Sequence, residues 1–348
     1  YVLARGHYAS PKKEEEISPG IPTVLPPLPE GASAKRLGLA KWIADDDHPL
    51  TARVAVNRYW SMIFGAGLVT TVMDFGTRGA TPSHPGLLDW LARDFADSDW
   101  NVKRVFKQML LSATYRQQSA ATEEQLRRDP ENVFLSRAPR VRLQGEFIRD
   151  SALAVSGTLN AKVGGPSVKP YQPPRIWNEV ALNGGLFYKR DSGQKLYRRS
   201  MYTYWKRSAP MPSMVTFDAP TREKCVVQRP RTNTPMQALV TMNDVQFVEA
   251  ARVFAQRVLQ QGGADFDSQL DYAFLLTTAR PADGLRKRVF RNLYDSQLKA
   301  FSADAKRAGE LLKFGETKRD ESLDPARHAA WTTVASAILN LDEVITKE

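Results

Sequence analysis

Two groups of side chains in this 348-residue sequence have the types and spacing for chemistry. The first lies between Asp47 and Tyr115, where DHPLTARVAVNRYW, FGAGLV, DFGTRG and TPSHPGLLDWLA follow closely. It offers Arg53, Asn57, Asp74 and His84, with Arg58, Arg78 and Asp89 beside them. A histidine oriented by Asp74 or Asp89 can act as a general base, and arginine with asparagine can hold an anion. The competing reading makes His84, which precedes Pro85, a helix cap. The DFG triplet at Asp74 matches the magnesium motif of kinases, but no glycine-rich phosphate loop or HRD loop accompanies it, so the match is discarded. The run Asp45, Asp46, Asp47 could take calcium, although a solvated helix end explains it more simply.

The second group is Arg142, Glu146, Arg149 and Asp150 in RLQGEFIRDSALAVSG. Read as one helix at about 100° per residue, these four share a face. Two arginines oriented by carboxylates could receive an anionic group, with Glu146 as a weak candidate for proton transfer; an ion network that fixes loops is the alternative. Further on, residues 198–231 carry eight basic residues, Arg198 and Arg199 among them, against Asp218 and Glu223, with Tyr202, Tyr204 and Trp205 interleaved. Such a texture binds sugars or single-stranded nucleic acid, or else pins a long loop to a helical body. No nucleic-acid motif accompanies it, which makes a nucleic-acid partner the weakest reading. Cys225 has basic neighbours but no assignable histidine partner, and an incidental cysteine is expected.

The elements that must position these groups are mainly helices. Ser33 is placed as the cap of a first helix bearing Leu37, Leu39, Ala40 and Ile43. A second runs from about Thr51 to Phe64, with Val56, Tyr59, Trp60 and Ile63 on one face and Gly65 as its stop. Ser83, His84 and Pro85 start a third, Asn101 caps a fourth through VKRVFKQMLLSATY, and DPEN at 129–132 opens a short fifth. A longer helix ends at Gly157. Residues 160–234 are rich in glycine, proline and aromatics and read as ordered loops, a length that is functional or interfacial when found in a compact body. Helices return from Pro235 to Gln261 and over about 267–278, 282–301 and 326–341. The expected fold is therefore a mainly α, multi-helix globular body with a long irregular Pro/Gly/aromatic-rich middle segment. Residues 1–32, with PKKEEE and PGIPTVLPPLPEG, read as an extended arm or linker. Residues 33–348 form the domain, divided at 33–159, 160–234 and 235–348.

Composition bounds the rest. The chain is 42% hydrophobic and 25% charged, and it lacks an apolar run long enough for a membrane span. A net charge of +11, with 31 arginines against 18 lysines, suits an acidic partner. One cysteine excludes an internal disulfide, and there is no CxxCH for covalent haem and no HExxH. No metal or cofactor is expected within this chain. The opening YVLARGHY reads as the continuation of a longer protein.

The motifs quoted above, with YRRSMYTYWKRSAP, FDAP, RTNTPMQALVTMND and WTTVASAILNLDEVITKE in the same order, resemble the planctomycete domain of unknown function 1553 over about Leu3 to Glu348. The resemblance implies an exported, periplasmic or cell-envelope protein in which this domain follows a companion domain and often a cytochrome c module, so haem c is expected only in an associated domain. It brings no reaction with it. Two functions follow: an accessory interaction domain with an arginine-lined anion-binding groove, formed by Arg53, Asn57, Arg142, Arg149, Arg198 and Arg199, or an enzyme acting on acidic or sulfated polysaccharide.

Overall fold

The computed structural model describes residues 1–348 except 19, 33–34, 181–186 and 348. The chain divides into two compact units, Tyr1–Pro139 and Arg140–Glu348. Fifteen helices and two small strand pairs are found among the described residues, which makes the fold mainly α. The three longest helices, over residues 284–303, 245–261 and 325–339, lie in the second unit, as does the helix ending at Gly157.

In the first unit, β1 (Val2–Leu3) pairs antiparallel with β2 (Pro11–Lys12). Helix α1 (Arg36–Ile43) buries Gly38 and Trp42, while Leu37, Leu39 and Ile43 are exposed, so the apolar face read from the sequence is not the one that packs. Trp42 decides the orientation: its ring is covered and its Nε1 donates to the Pro26 carbonyl at 2.8 Å, which ties the Pro-rich run to α1. The proposed Ser33 cap lies outside the described residues; Lys35 occupies the cap position.

Helix α2 (Thr51–Phe64) ends at Gly65, whose φ of 87° suits glycine alone. Its Val56, Trp60 and Phe64 form a core with Leu88, Leu91 and Phe95 of α3 (Pro85–Asp97) and with Val105 and Met109 of α4 (Val102–Leu111). Asn101 caps α4 as expected, its side chain accepting from the Arg104 amide. At α3 the cap position belongs to His84, without a side-chain cap bond, and Ser83 instead contacts the His84 ring. DPEN is not a helix start. The helix precedes it as α5 (Glu123–Arg128), opened by a reciprocal capping box of Thr122 and Gln125, while Asp129 accepts from the Val133 and Phe134 amides to form a turn.

The second unit is built on α14 (Pro325–Leu339). Ala329, Ala330, Trp331, Val334, Ala335 and Ile338 have essentially no exposure, so this helix is buried on nearly every side, and its alanines let neighbours approach closely. Helices α10 (Val245–Gln261) and α12 (Gly284–Ala303) pack directly on it. Around them lie α6 (Gly145–Ser156), α9 (Pro235–Asn243), α11 (Phe266–Thr278), α13 (Ala305–Leu311) and α15 (Asp342–Ile345). Strand β3 (Val141–Arg142) pairs antiparallel with β4 (Thr346–Lys347). Arg142 is thus on a strand, and the four-residue helical face proposed from 142 to 150 loses its first member. Among the described residues between α6 and α9 the backbone is irregular apart from two 3-10 turns, α7 (Ile176–Glu179) and α8 (Pro212–Val215).

Candidate functional site

The first-unit candidates serve their own loops. Asn57 is fully buried, and its amide group both donates to the Val69 carbonyl (3.0 Å) and accepts from the Val69 amide (2.9 Å). This holds FGAGLV against α2, and a Cβ on Gly67 would come within 2.7 Å of Asn57 Nδ2, so glycine is required there. Arg53 donates to Asp89 (2.7 Å) and to the Pro49 carbonyl (2.5 Å). Asp74 accepts from the Gly76 amide at 2.8 Å, closing the DFGTRG turn. Ring nitrogen Nδ1 of His84 meets Ser83 at 3.0 Å, and among the described residues no hydrogen bond joins it to a carboxylate. The reading of His84 as a base oriented by Asp74 or Asp89 thus finds no hydrogen bond to carry it among the described residues.

The second-unit arginines are also engaged. Arg149 on α6 is 2% exposed and spends its guanidinium on Gln246 Oε1 (2.6 Å), Ser200 Oγ (3.2 Å) and the carbonyls of Leu196 (2.6 Å) and Arg198 (2.9 Å). Burial lowers its pKa to about 10, with Asp150 at 3.6 Å opposing the shift, so it stays charged at neutral pH. Asp150 in turn accepts from the amide and hydroxyl of Ser200. Arg198 is equally covered: it donates to the carbonyls of Lys162, Gly164 and Pro166 and lies 3.8 Å from the Tyr202 ring centre. Arg199 lies 5.7 Å from the centre of the same ring. Glu146 is clasped by Arg229 through two bonds of 2.7 and 3.1 Å, and Arg142 reaches Asn233, Gln237 and Asp342. These contacts span tens of residues and turn the irregular segment into a braced structure.

A further brace was not read from the sequence. Along α10, Glu249, Arg252, Gln256 and Gln260 follow one helical face and grip residues 314–320. Glu249 accepts from the amides of Glu316 (2.7 Å) and Thr317 (2.6 Å) and from the Tyr197 hydroxyl (2.9 Å). Arg252 donates to the carbonyls of Phe314 and Thr317. Gln256 accepts from the Asp320 amide, and Gln260 donates to its carboxylate. Gly315, at φ +90°, lies so close to the Glu249 side chain that a Cβ would collide with it. Burial pushes the Tyr197 phenol up to about 12, so it remains a donor to Glu249. In sequence these four positions look like the polar stripe of an ordinary amphipathic helix.

Charge is distributed unevenly. Residues 160–234 contain fourteen Lys and Arg against four Asp and Glu, so this segment accounts for +10 of the chain's +11. Arg190 and Lys195 pair with Glu316 and Asp191, as Arg229 does with Glu146. Others face rings: Lys169 is 5.4 Å from Trp177 and 5.1 Å from Tyr204, Lys206 is 5.6 Å from Trp177, and Arg222 is 4.7 Å from Trp205. Lys162, Arg175, Lys189, Arg207 and Lys224 are exposed, and no ion pair involves them among the described residues. Cys225 is exposed and unpaired as a disulfide. Among the described residues no three His, Cys, Asp or Glu side chains gather as a metal-ligand set, and no helix is long and apolar enough to cross a membrane.

Comparison with curated proteins and with solved structures found no match. The family described as PSD1, protein of unknown function (DUF1553), matches residues 35–294, which takes in both groups of candidate residues and the whole basic segment. That match covers well over half the sequence, and the chain belongs to the DUF1553 family.

Proposed function

We propose that this chain is an accessory interaction domain whose residues 160–234 present a basic, aromatic-backed surface to an anionic partner. One observation carries the reading: nearly all of the net charge is concentrated on a segment that buried arginines hold in place. Holding a loop beforehand lowers the ordering cost of binding, and ammonium groups resting on aromatic faces are partly desolvated already. The arginines named from sequence, Arg149 and Arg198, build this surface from beneath, while Lys162, Arg175, Lys189, Arg207 and Lys224 meet the partner. The family resemblance supplies the partner's setting: an exported protein of the cell envelope, with a companion or cytochrome-type domain bearing an acidic face. An enzyme acting on acidic or sulfated polysaccharide has less support, because Glu146 is tied to Arg229 and no hydrogen bond joins His84 to a carboxylate among the described residues.

The test is binding of dextran sulfate to the full chain at increasing salt, with wild type and the triple variant Lys162→Glu, Arg207→Glu, Lys224→Glu. Binding should weaken about tenfold or more in the variant, with a shallower salt dependence. Equal affinity and equal salt slope in both proteins would refute the reading. Release of reducing ends from the polymer would favour the enzyme instead.

A further inference from the structure

Two adjacent arginines of the basic segment are used differently. Arg198 gives its guanidinium to the carbonyls of Lys162, Gly164 and Pro166. Arg199 beside it is partly exposed, has no ion pair among the described residues, and keeps its Nε buried without a hydrogen-bond partner. Buried donors are rarely left so in a folded protein. Among the described residues the charge of Arg199 is met by neither a carboxylate nor a carbonyl, so an incoming anion can take it.

Tyr202 closes the 3-10 turn that follows, Ser200–Tyr202. The Gly164 amide donates to its hydroxyl oxygen at 2.8 Å, which leaves the hydroxyl proton to be donated, and no acceptor for it is found among the described residues. The Gly164 bond first, then the Arg199 side chain and the Arg198 charge, hold the phenol below its ordinary value of 10. Tyr171, Tyr188 and Tyr197 in the same segment are pushed the other way by burial. A phenol that ionises more readily is a stronger hydrogen-bond donor. Space adjoins it: nothing lies within 4 Å of where a Cβ on Gly164 would stand.

We infer that Arg199 and Tyr202 together anchor a carboxylate of the acidic partner, the guanidinium donating to one oxygen and the phenol to the other. This deepens the basic surface proposed above and rests on it. Exposed cations such as Lys162, Arg207 and Lys224 draw the partner in by charge, and the Arg199–Tyr202 pair fixes one of its side chains in place. The phenol adds a directed bond without adding charge, and this separates the two contributions.

The experiment is calorimetric titration of the full chain with poly-L-glutamate at increasing salt. Saturable binding is expected. Tyr202→Phe should weaken it about tenfold at every salt concentration with an unchanged salt slope, whereas Arg199→Gln should weaken it as much with a shallower slope. Phenol ionisation followed by ultraviolet absorbance separates binding from a merely structural role. The first phenol to ionise should be absent from Tyr202→Phe, and in wild type should shift to higher pH when poly-L-glutamate is bound, since an anion beside the hydroxyl opposes its ionisation. Thermal melts check folding, and Arg199→Gln keeps the test decisive if Tyr202→Phe is unstable. If the triple variant Lys162→Glu, Arg207→Glu, Lys224→Glu weakens binding while Arg199→Gln and Tyr202→Phe bind as wild type, the anchor is wrong and the basic surface stands. If the triple variant itself binds as wild type, the surface fails and the anchor with it. Absence of saturable binding by wild type, or a first ionisation that the polymer does not move, also overturns the inference.

Discussion

The stretch Asp47–Tyr115 and the segment 160–234 are both dense in arginine, asparagine, glycine and aromatics, yet their polar groups work over different distances. In the first, apart from exposed ion pairs such as Arg53–Asp89, the bonds are short in sequence: Asp74 to Gly76, Asn101 to Arg104, and Asn57 to Val69. In the second they are long: Arg198 to Lys162, Arg149 to Leu196, Tyr197 to Glu249 and to Thr317. A local bond stabilises one turn, whereas a long one fixes a segment that has little helix or sheet to hold it. The difference shows why motif-rich sequence need not be a catalytic centre. It also shows where a large charge can be displayed: on backbone held from below by buried guanidinium groups.

The sharpest way to break this contrast is to remove the long-range pins. Arg149→Met leaves the Leu196 and Arg198 carbonyls without their donor, and about 3–5 kcal/mol of the second unit's stability should be lost. For a unit of this size each kcal/mol lowers the melting temperature by about 2–4 °C, readable by calorimetry. A drop of less than a degree or two would mean that Arg149 is not a structural pin.

Asn57→Ala is the strongest local counterpart. It strands the buried amide and carbonyl of Val69, and about 2–3 kcal/mol should be lost from the first unit alone. Chemical denaturation monitored by tryptophan fluorescence checks it, and an unchanged midpoint would contradict the assigned role.

A pH effect sharpens the comparison within the second unit. His328 on α14 has no exposure, and its Nε2 is 3.0 Å from the Arg252 carbonyl. Burial lowers its pKa from the usual value near 6.5, so below that pH the unfolded chain takes a proton that the folded chain resists. Stability should therefore fall as pH drops through about 6.5, by at most about 1.4 kcal/mol per pH unit from this group. Melting curves from pH 7.5 to 5 should be flatter for His328→Gln than for wild type; parallel curves would remove the histidine from the account.

The smallest effect expected is at a helix cap. Asn101→Ala removes the side-chain acceptor for the Arg104 amide and should cost about 1 kcal/mol. A thermal melt of the variant checks this, and a loss as large as that from Arg149→Met would erase the distinction between local and long-range groups.

That distinction also explains what could be read from sequence. Helix α2 with its Gly65 stop, the Asn101 cap, the Gly157 stop and the irregular character of 160–234 rest on neighbours in sequence and were legible. The exposed face of α1 was not, because Trp42 packs through a bond to Pro26, sixteen residues away. The order of α5 and DPEN is set by the Thr122–Gln125 capping box, a local signal that the sequence carries as T-x-x-Q. At the candidate site, residue types pointed to arginine and carboxylate together, but their partners could not be known. Glu146 finds Arg229, and Glu249 finds residues 316 and 317, only after the chain has folded back on itself. The concentration of charge in 160–234 needed only counting; that it lies on a braced segment needed the structure.

Amide hydrogen exchange of the wild-type full chain and of Arg198→Met tests this most directly. The bracing predicts that the bonded amides of Asn160, Gly164, Val168 and Tyr204 exchange slowly in wild type and lose that protection in the variant, while α14 stays protected. Rapid exchange of those amides in wild type, or unchanged protection in Arg198→Met, would contradict the claim that buried arginines hold the basic segment in place.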